Sequence, residues 1–84
     1  MKEKILVAGG TGYIGSHTTV ELQSAGYEVV IIDDLSNSNA DVVDHIEKIT
    51  GIRPAFIKLD LKDKEGTRKA LEANPGIKGV ILFA

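Results

Sequence analysis

"ILVAGGTGYIGSHT", residues 5–18, runs from four apolar residues into a stretch that holds four glycines in seven positions, then into a segment with helical spacing. The run Ile5-Leu6-Val7-Ala8 stops at Gly9, as a strand buried on both faces of a parallel sheet does. From Tyr13 onward, Ile14, Thr18, Leu22 and Ala25 recur at helical intervals, and Gly26 follows as a residue that ends a helix with positive φ at no steric cost. The glycines therefore occupy a strand-to-helix turn, in the register Gly9-x-x-Gly12-x-x-Gly15 or Gly10-x-Gly12-x-x-Gly15. The first glycine permits the tight turn. Gly12 removes a Cβ so that backbone N–H groups can approach a diphosphate, and Gly15 lets the helix pack closely on the strand. N–H groups at a helix start, with the helix dipole behind them, attract negative charge.

Outward from this turn the chain keeps alternating. Val29-Val30-Ile31-Ile32 predicts a second strand that stops at Asp33-Asp34. The polar loop "DLSNSNAD", residues 34–41, leads to a helix capped by Asn39, with Val42, Val43, Ile46 and Ile49 as one apolar stripe before Gly51. "PAFIKLD" predicts a third strand over residues 55–59. "DKEGTRKALEAN" predicts a third helix with Gly66 as its weak point, and "GVILFA", residues 79–84, a fourth strand. The order β-α-β-α-β-α-β implies parallel strands joined by right-handed crossovers, an α/β doubly wound layout. A complete sheet of this type has two halves with strand order 3-2-1-4-5-6, so residues 1–84 read as one incomplete domain, its first four strands.

Composition narrows the setting. A chain of 84 residues is one domain at most and has little core to spare. A formal charge of -2 gives no basic footprint for nucleic acid. Zero cysteines exclude a disulfide framework and a thiolate metal site, and two isolated histidines, His17 and His45, do not make one. The apolar run after Lys4 is too short for a signal segment or a membrane span, so no membrane partner is expected and the cytoplasm is the default location.

Asp33 lies 18 residues after Gly15, close to the roughly 20-residue offset at which an acid accepts hydrogen bonds from an adenosine ribose in dinucleotide-binding units. A carboxylate there repels a 2′-phosphate, and no Lys or Arg stands between Asp33 and Asp44 to neutralise one, so NAD is favoured over NADP. The plainer alternatives are a glycine turn that serves packing alone, with Asp33 and Asp34 as strand-ending acids in a solvated loop.

With these motifs placed, "GGTGYIGSHT", "DDLSNS", "KLDLKD" and the terminal "LFA" resemble the extended short-chain dehydrogenase/reductase family over essentially the whole chain, and its epimerase branch in particular. The resemblance implies the N-terminal half of a Rossmann-type domain that binds NAD, in a full-length enzyme that acts on a UDP-sugar and is compatible with a homodimer. By the same resemblance, Gly9, Gly12 and Gly15 form the diphosphate turn and Tyr13 and Ile14 sit over the diphosphate. Asp33, Asp34, Leu35, Ser36, Asn37 and Ser38 wrap the adenosine ribose. Asp60 would accept from the adenine amino group with Leu61 beside the ring, and Phe83 and Ala84 would line the cofactor at the end of the fourth strand. Two departures stand out: Ala8 where the family usually has Thr, and Leu82 where epimerases commonly place His. The family's catalytic Tyr-x-x-x-Lys pair does not occur here. Tyr13 is followed four places on by His17 and Tyr27 by Ile31, so no catalytic residue is assigned, and neither histidine is given a role. A stand-alone NAD-binding module, or another extended-family enzyme such as a sugar-nucleotide dehydratase or decarboxylase, are the competing expectations.

Overall fold

The structure, a computed structural model, describes residues 3–9, 13–34, 41–60 and 62–83. Its elements are β1 (Lys4–Ala8), α1 (Tyr13–Ser24), β2 (Glu28–Asp33), α2 (Asp41–Thr50), β3 (Ala55–Lys58), α3 (Lys64–Ala73) and β4 (Ile77–Leu82). The strands form one sheet in the order β3-β2-β1-β4, every neighbouring pair parallel. This is the first half of the Rossmann-type order expected from the alternation of apolar runs and helices.

Successive side chains of a strand point to opposite faces, and the central strands are apolar at every inward position, so the sheet carries a core on each side. Val7, Val29 and Ile31 join Ile46 of α2 on one face, with Val20 and Leu22 of α1 and Phe56 of β3 packed against them. Leu6, Val30 and Ile32 join Ala70 of α3 on the other, backed by Ile57, Leu59 and Ile77. The helices therefore divide as a doubly wound sheet requires, α1 and α2 on one side and α3 on the other.

The helix α1 departs from expectation. Its buried face is Gly15, Thr19 and Gln23, whereas Ile14 is 64% exposed, Thr18 and Leu22 are half-buried, and Ala25 lies in the exposed turn after the helix. Polar side chains can be buried where their hydrogen bonds are made. The Thr19 hydroxyl donates to the Gly15 carbonyl at 2.9 Å, and Gln23 Oε1 accepts from the Thr50 hydroxyl at 2.8 Å, which ties α1 to the end of α2. Gly26 ends α1 as expected, with φ 95°. Its amide donates to the Gln23 carbonyl and the Tyr27 amide to the Leu22 carbonyl, the paired bonds of a Schellman turn.

In α2, Val43 and Ile46 are buried and Val42 is half-buried, but Ile49 is 68% exposed, so the stripe is narrower than its spacing suggested. Its expected cap, Asn39, lies outside the described residues. In α3, Asp63 caps the helix by accepting from the Gly66 amide at 3.0 Å. Gly66 sits close to its neighbours there: a Cβ would stand 2.5 Å from Asp63 Oδ2 and 2.7 Å from Leu59 Cδ1, so a larger residue would oblige those side-chain ends to shift. The third strand is one residue shorter than expected and the fourth begins two residues earlier, at Ile77.

Candidate functional site

Parallel strands bring their carboxyl ends to one rim of the sheet, and there the ends are bonded to one another beyond the ladder. The Gly9 amide donates to the Ile32 carbonyl at 2.7 Å, the Phe83 amide to the Ala8 carbonyl at 2.8 Å, and the Leu59 amide to the Asp33 carbonyl at 3.0 Å. Four segments far apart in sequence are thus locked side by side, and Gly9, Asp33, Asp60 and Phe83 sit along a single edge. Gly9 turns away from β1 with φ 83°, a conformation open to glycine and strained for most other residues. Its bond to Ile32 places the glycine turn directly against the residue preceding Asp33.

The start of α1 lies beside this turn. Of the three helices, α1 alone has no acid in its first turn; α2 has Asp41 and Asp44 there and α3 has Glu65. Unpaired N–H groups and the positive end of the helix dipole make a helix start an anion site, and an acid in the first turn competes for the same groups. Among the described residues α1 is thus the helix whose first turn carries no acid, and it is the one the glycines lead into. Gly15 is buried in the first turn, and the fully buried Thr19 fastens its carbonyl.

Around that turn, Asp33 is half-buried and Asp34 exposed at the end of β2. Asp60 is exposed just past β3; its Oδ1 accepts from the Lys62 amide at 2.9 Å, which fixes the carboxylate at the rim. Ile14, on the exposed side of the first turn of α1, and Phe83, 37% exposed, add apolar surface. Tyr13 opens α1. Gly12, Leu35, Ser36, Asn37, Ser38, Leu61 and Ala84 lie outside the described residues, as does Gly10. Of the two departures from the family pattern, Ala8 is buried in β1 and Leu82 is 62% exposed on β4.

One neighbour of Asp33 could not be found along the sequence. β2 and β3 pair with Ile31 opposite Phe56, Ile32 opposite Ile57 and Asp33 opposite Lys58. The cation beside the acid comes from the next strand, 25 residues later, where no scan of the loop after Asp33 would look.

Other features stand away from the rim. Ser16, His17, Val20, Val42, His45, Ile46 and Ile49 line an open groove between α1 and α2. Away from the rim too, the Arg53 guanidinium, which follows α2 and is hydrogen-bonded to Asp44 of its first turn, holds that carboxyl below its usual range, and Asp44 in turn raises Arg53. Among the described residues no group of three or more His, Cys, Asp or Glu could hold a metal, and no helix is long and apolar enough to cross a membrane.

Residues 5–84 match the model of the NAD dependent epimerase/dehydratase family. The chain is 52% identical over 82 residues to the bifunctional protein gal10 of Schizosaccharomyces pombe, covering 98% of this chain and 11% of that protein. It is 49% identical over 80 residues to the UDP-glucose 4-epimerase of Bacillus subtilis, covering 95% of this chain and 23% of that one. The solved UDP-glucose-4-epimerase of Stenotrophomonas maltophila, with bound NAD and formylated UDP-arabinopyranose, superposes with a TM-score of 0.93 at 45% identity, over 98% of this chain and 24% of that one. The Bifidobacterium longum UDP-glucose 4-epimerase in complex with NAD+ and UDP gives 0.92 at 34% identity, over 96% and 24%. The chain thus spans at most about a quarter of the length of these relatives.

Proposed function

The chain belongs to the NAD dependent epimerase/dehydratase family, and from that premise we propose that it is the NAD-binding N-terminal portion of a UDP-glucose 4-epimerase. The observation that carries the reading is the juxtaposition at the rim: a glycine turn bonded to the end of β2, an acid-free helix start beside it, and Asp33 next in line. A diphosphate needs a donor-rich, acid-free concavity and an adenosine ribose needs a carboxylate about one nucleotide away; these residues supply both.

In this reading the N–H groups that open α1 receive the diphosphate, Asp33 accepts from the ribose hydroxyls, Asp60 faces the adenine amino group, and Ile14 and Phe83 exclude water from the flanks. NAD when bound takes a hydride from C4 of a UDP-hexose and returns it to the other face, interconverting UDP-galactose and UDP-glucose through a 4-keto sugar. The residues of this chain bind and orient, and proton transfer falls to a Tyr-x-x-x-Lys pair that these 84 residues do not contain. The reading carries with it a cytoplasmic setting and a UDP-sugar as the small-molecule partner.

The second reading is a module that binds NAD and performs no chemistry. Titration of the 84-residue chain with NAD tests the binding claim shared by both, and loss of all NAD binding would sink both. Turnover of UDP-galactose without added cofactor, by a full-length protein carrying this chain, separates them, since a module gives none.

A further inference from the structure

We propose that Lys58 is a second determinant of cofactor choice, setting how strongly the site rejects a 2′-phosphate. The inference rests on the NAD-binding reading and extends it to a residue that neither the glycine motif nor the acid predicts. Registered neighbours in a parallel sheet point to the same side, and Lys58 is paired with Asp33. That side is the one on which α1 and α2 lie, because Ile31 and Phe56, the pair two residues further in and so on the same face, both belong to the core beneath those helices. Lys58 thus shares its face with the start of α1, where the diphosphate is placed.

Lys58 is also the last residue of β3, at the rim, and is exposed, so its ammonium stays in water rather than in the core. Neighbouring strands run about 4.8 Å apart, which puts the ammonium within reach of whatever Asp33 holds. Among the described residues its charge is unspent: the ion pairs there are those of Arg53 with Asp44 and Glu47 and of Arg68 with Glu65 and Glu72. Asp33 alone would repel a 2′-phosphate. A compact cation one strand away offsets part of that repulsion while contributing little toward an uncharged 2′-hydroxyl. Asp33 therefore sets the direction of the preference and Lys58 limits its size.

The test is titration of the chain with NAD and with NADP, comparing the unaltered protein, Lys58→Met and Lys69→Met. Lys69 is an exposed lysine on α3, across the sheet, and controls for the loss of one positive charge anywhere. The unaltered chain should bind NADP measurably, and Lys58→Met should widen the ratio of NADP to NAD dissociation constants about fivefold, the upper range for an exposed charge pair. Lys58→Glu should widen it further. A ratio that stays put in Lys58→Met, that moves equally in Lys69→Met, or an unaltered chain that binds NAD but no NADP, would each overturn the inference and leave the NAD-binding reading standing. An unaltered chain that binds neither cofactor overturns both.

Discussion

At the scale of single residues, the site turns on one carboxylate and its surroundings. Asp33 could be picked out from the sequence because a glycine turn and an acid about 20 positions later recur wherever a strand, a helix and a second strand wrap a dinucleotide. The spacing is fixed by the lengths of those elements. Lys58 was not legible in the same way, because its place beside Asp33 depends on the pairing of β2 with β3, and register is a property of two strands together. The loop after Asp33 carries no cation as far as Asp44, and the sheet sets one beside it all the same. Asp33→Asn should lower NAD affinity, by about 1.5–3 kcal/mol if the ribose bonds are charge-assisted, and should narrow the gap to NADP because the repulsion goes with the charge. Calorimetric titration with both cofactors measures each part; an undiminished NAD affinity would remove Asp33 from the site.

At the scale of elements, apolar periodicity identified every strand and helix but misassigned the inner face of α1. Counting hydrophobic positions selects Ile14, Thr18, Leu22 and Ala25, whereas Gly15, Thr19 and Gln23 are the buried ones. A helix that begins at a glycine turn must approach the sheet closely, and the small Gly15 and the self-satisfied Thr19 allow it where an isoleucine would hold it off. Binary patterning has no signal for a Thr that bonds its own helix or a Gln whose partner lies on another one. The contrast is measurable in urea. Gln23→Ala removes one acceptor of the part-buried Thr50 hydroxyl, the bond between α1 and α2, and empties a buried position, which together should cost about 1–1.5 kcal/mol. Ile14→Ala, at a residue 64% exposed, should stay within about 0.5 kcal/mol while weakening NAD binding. If the costs came out in the reverse order, α1 would pack by its apolar stripe after all.

The same scale holds the tie at the end of α2. Arg53 bonds Asp44 at 2.6 Å and Glu47 at 3.1 Å, all three half-exposed, and so joins the helix to the segment leading into β3. A carboxyl held below its usual range binds fewer protons when folded, so this contribution is present above the unfolded value and is lost as pH falls through the lower folded one. Arg53 stays charged throughout, its own value being raised further. Arg53→Met should therefore flatten the acid limb of the stability curve, with a smaller loss of urea midpoint between neutral pH and pH 3 than in the unaltered chain. Equal losses would mean that the pair contributes nothing measurable, which solvent screening at such exposure can produce.

At the scale of the whole molecule, the two faces of the sheet are covered unequally. α1, α2 and α3 bury Leu6 to Ala8 of β1 and Val29 to Ile32 of β2, yet Val80 and Leu82 of β4 are 60% and 62% exposed and Phe83 follows at 37%. Val80 pairs with Leu6 and Leu82 with Ala8, so both side chains lie on the α3 face, where α3 packs over Leu6, Val30 and Ile32 and reaches no further along β4. Among the described residues no strand pairs with the outer edge of β4. An exposed apolar strand with a row of unpaired N–H and C=O groups is a template for pairing with another chain. A core of this size supplies on the order of 3–5 kcal/mol, too little to keep such an edge hidden by rigidity alone. The 84-residue chain by itself should accordingly associate as concentration rises and bind NAD weakly, since the rim extends only from Asp60 to Phe83. Lys at positions 80 and 82 should suppress the association, a charged edge resisting strand addition, without reaching the glycine turn on the opposite face. Sedimentation of the unaltered chain and of the Val80→Lys, Leu82→Lys double variant, with NAD titrations of both, separates the outcomes. Monomeric behaviour of the unaltered chain with micromolar NAD binding would show that these four strands form a self-sufficient binding unit, and would move the weight to the module reading.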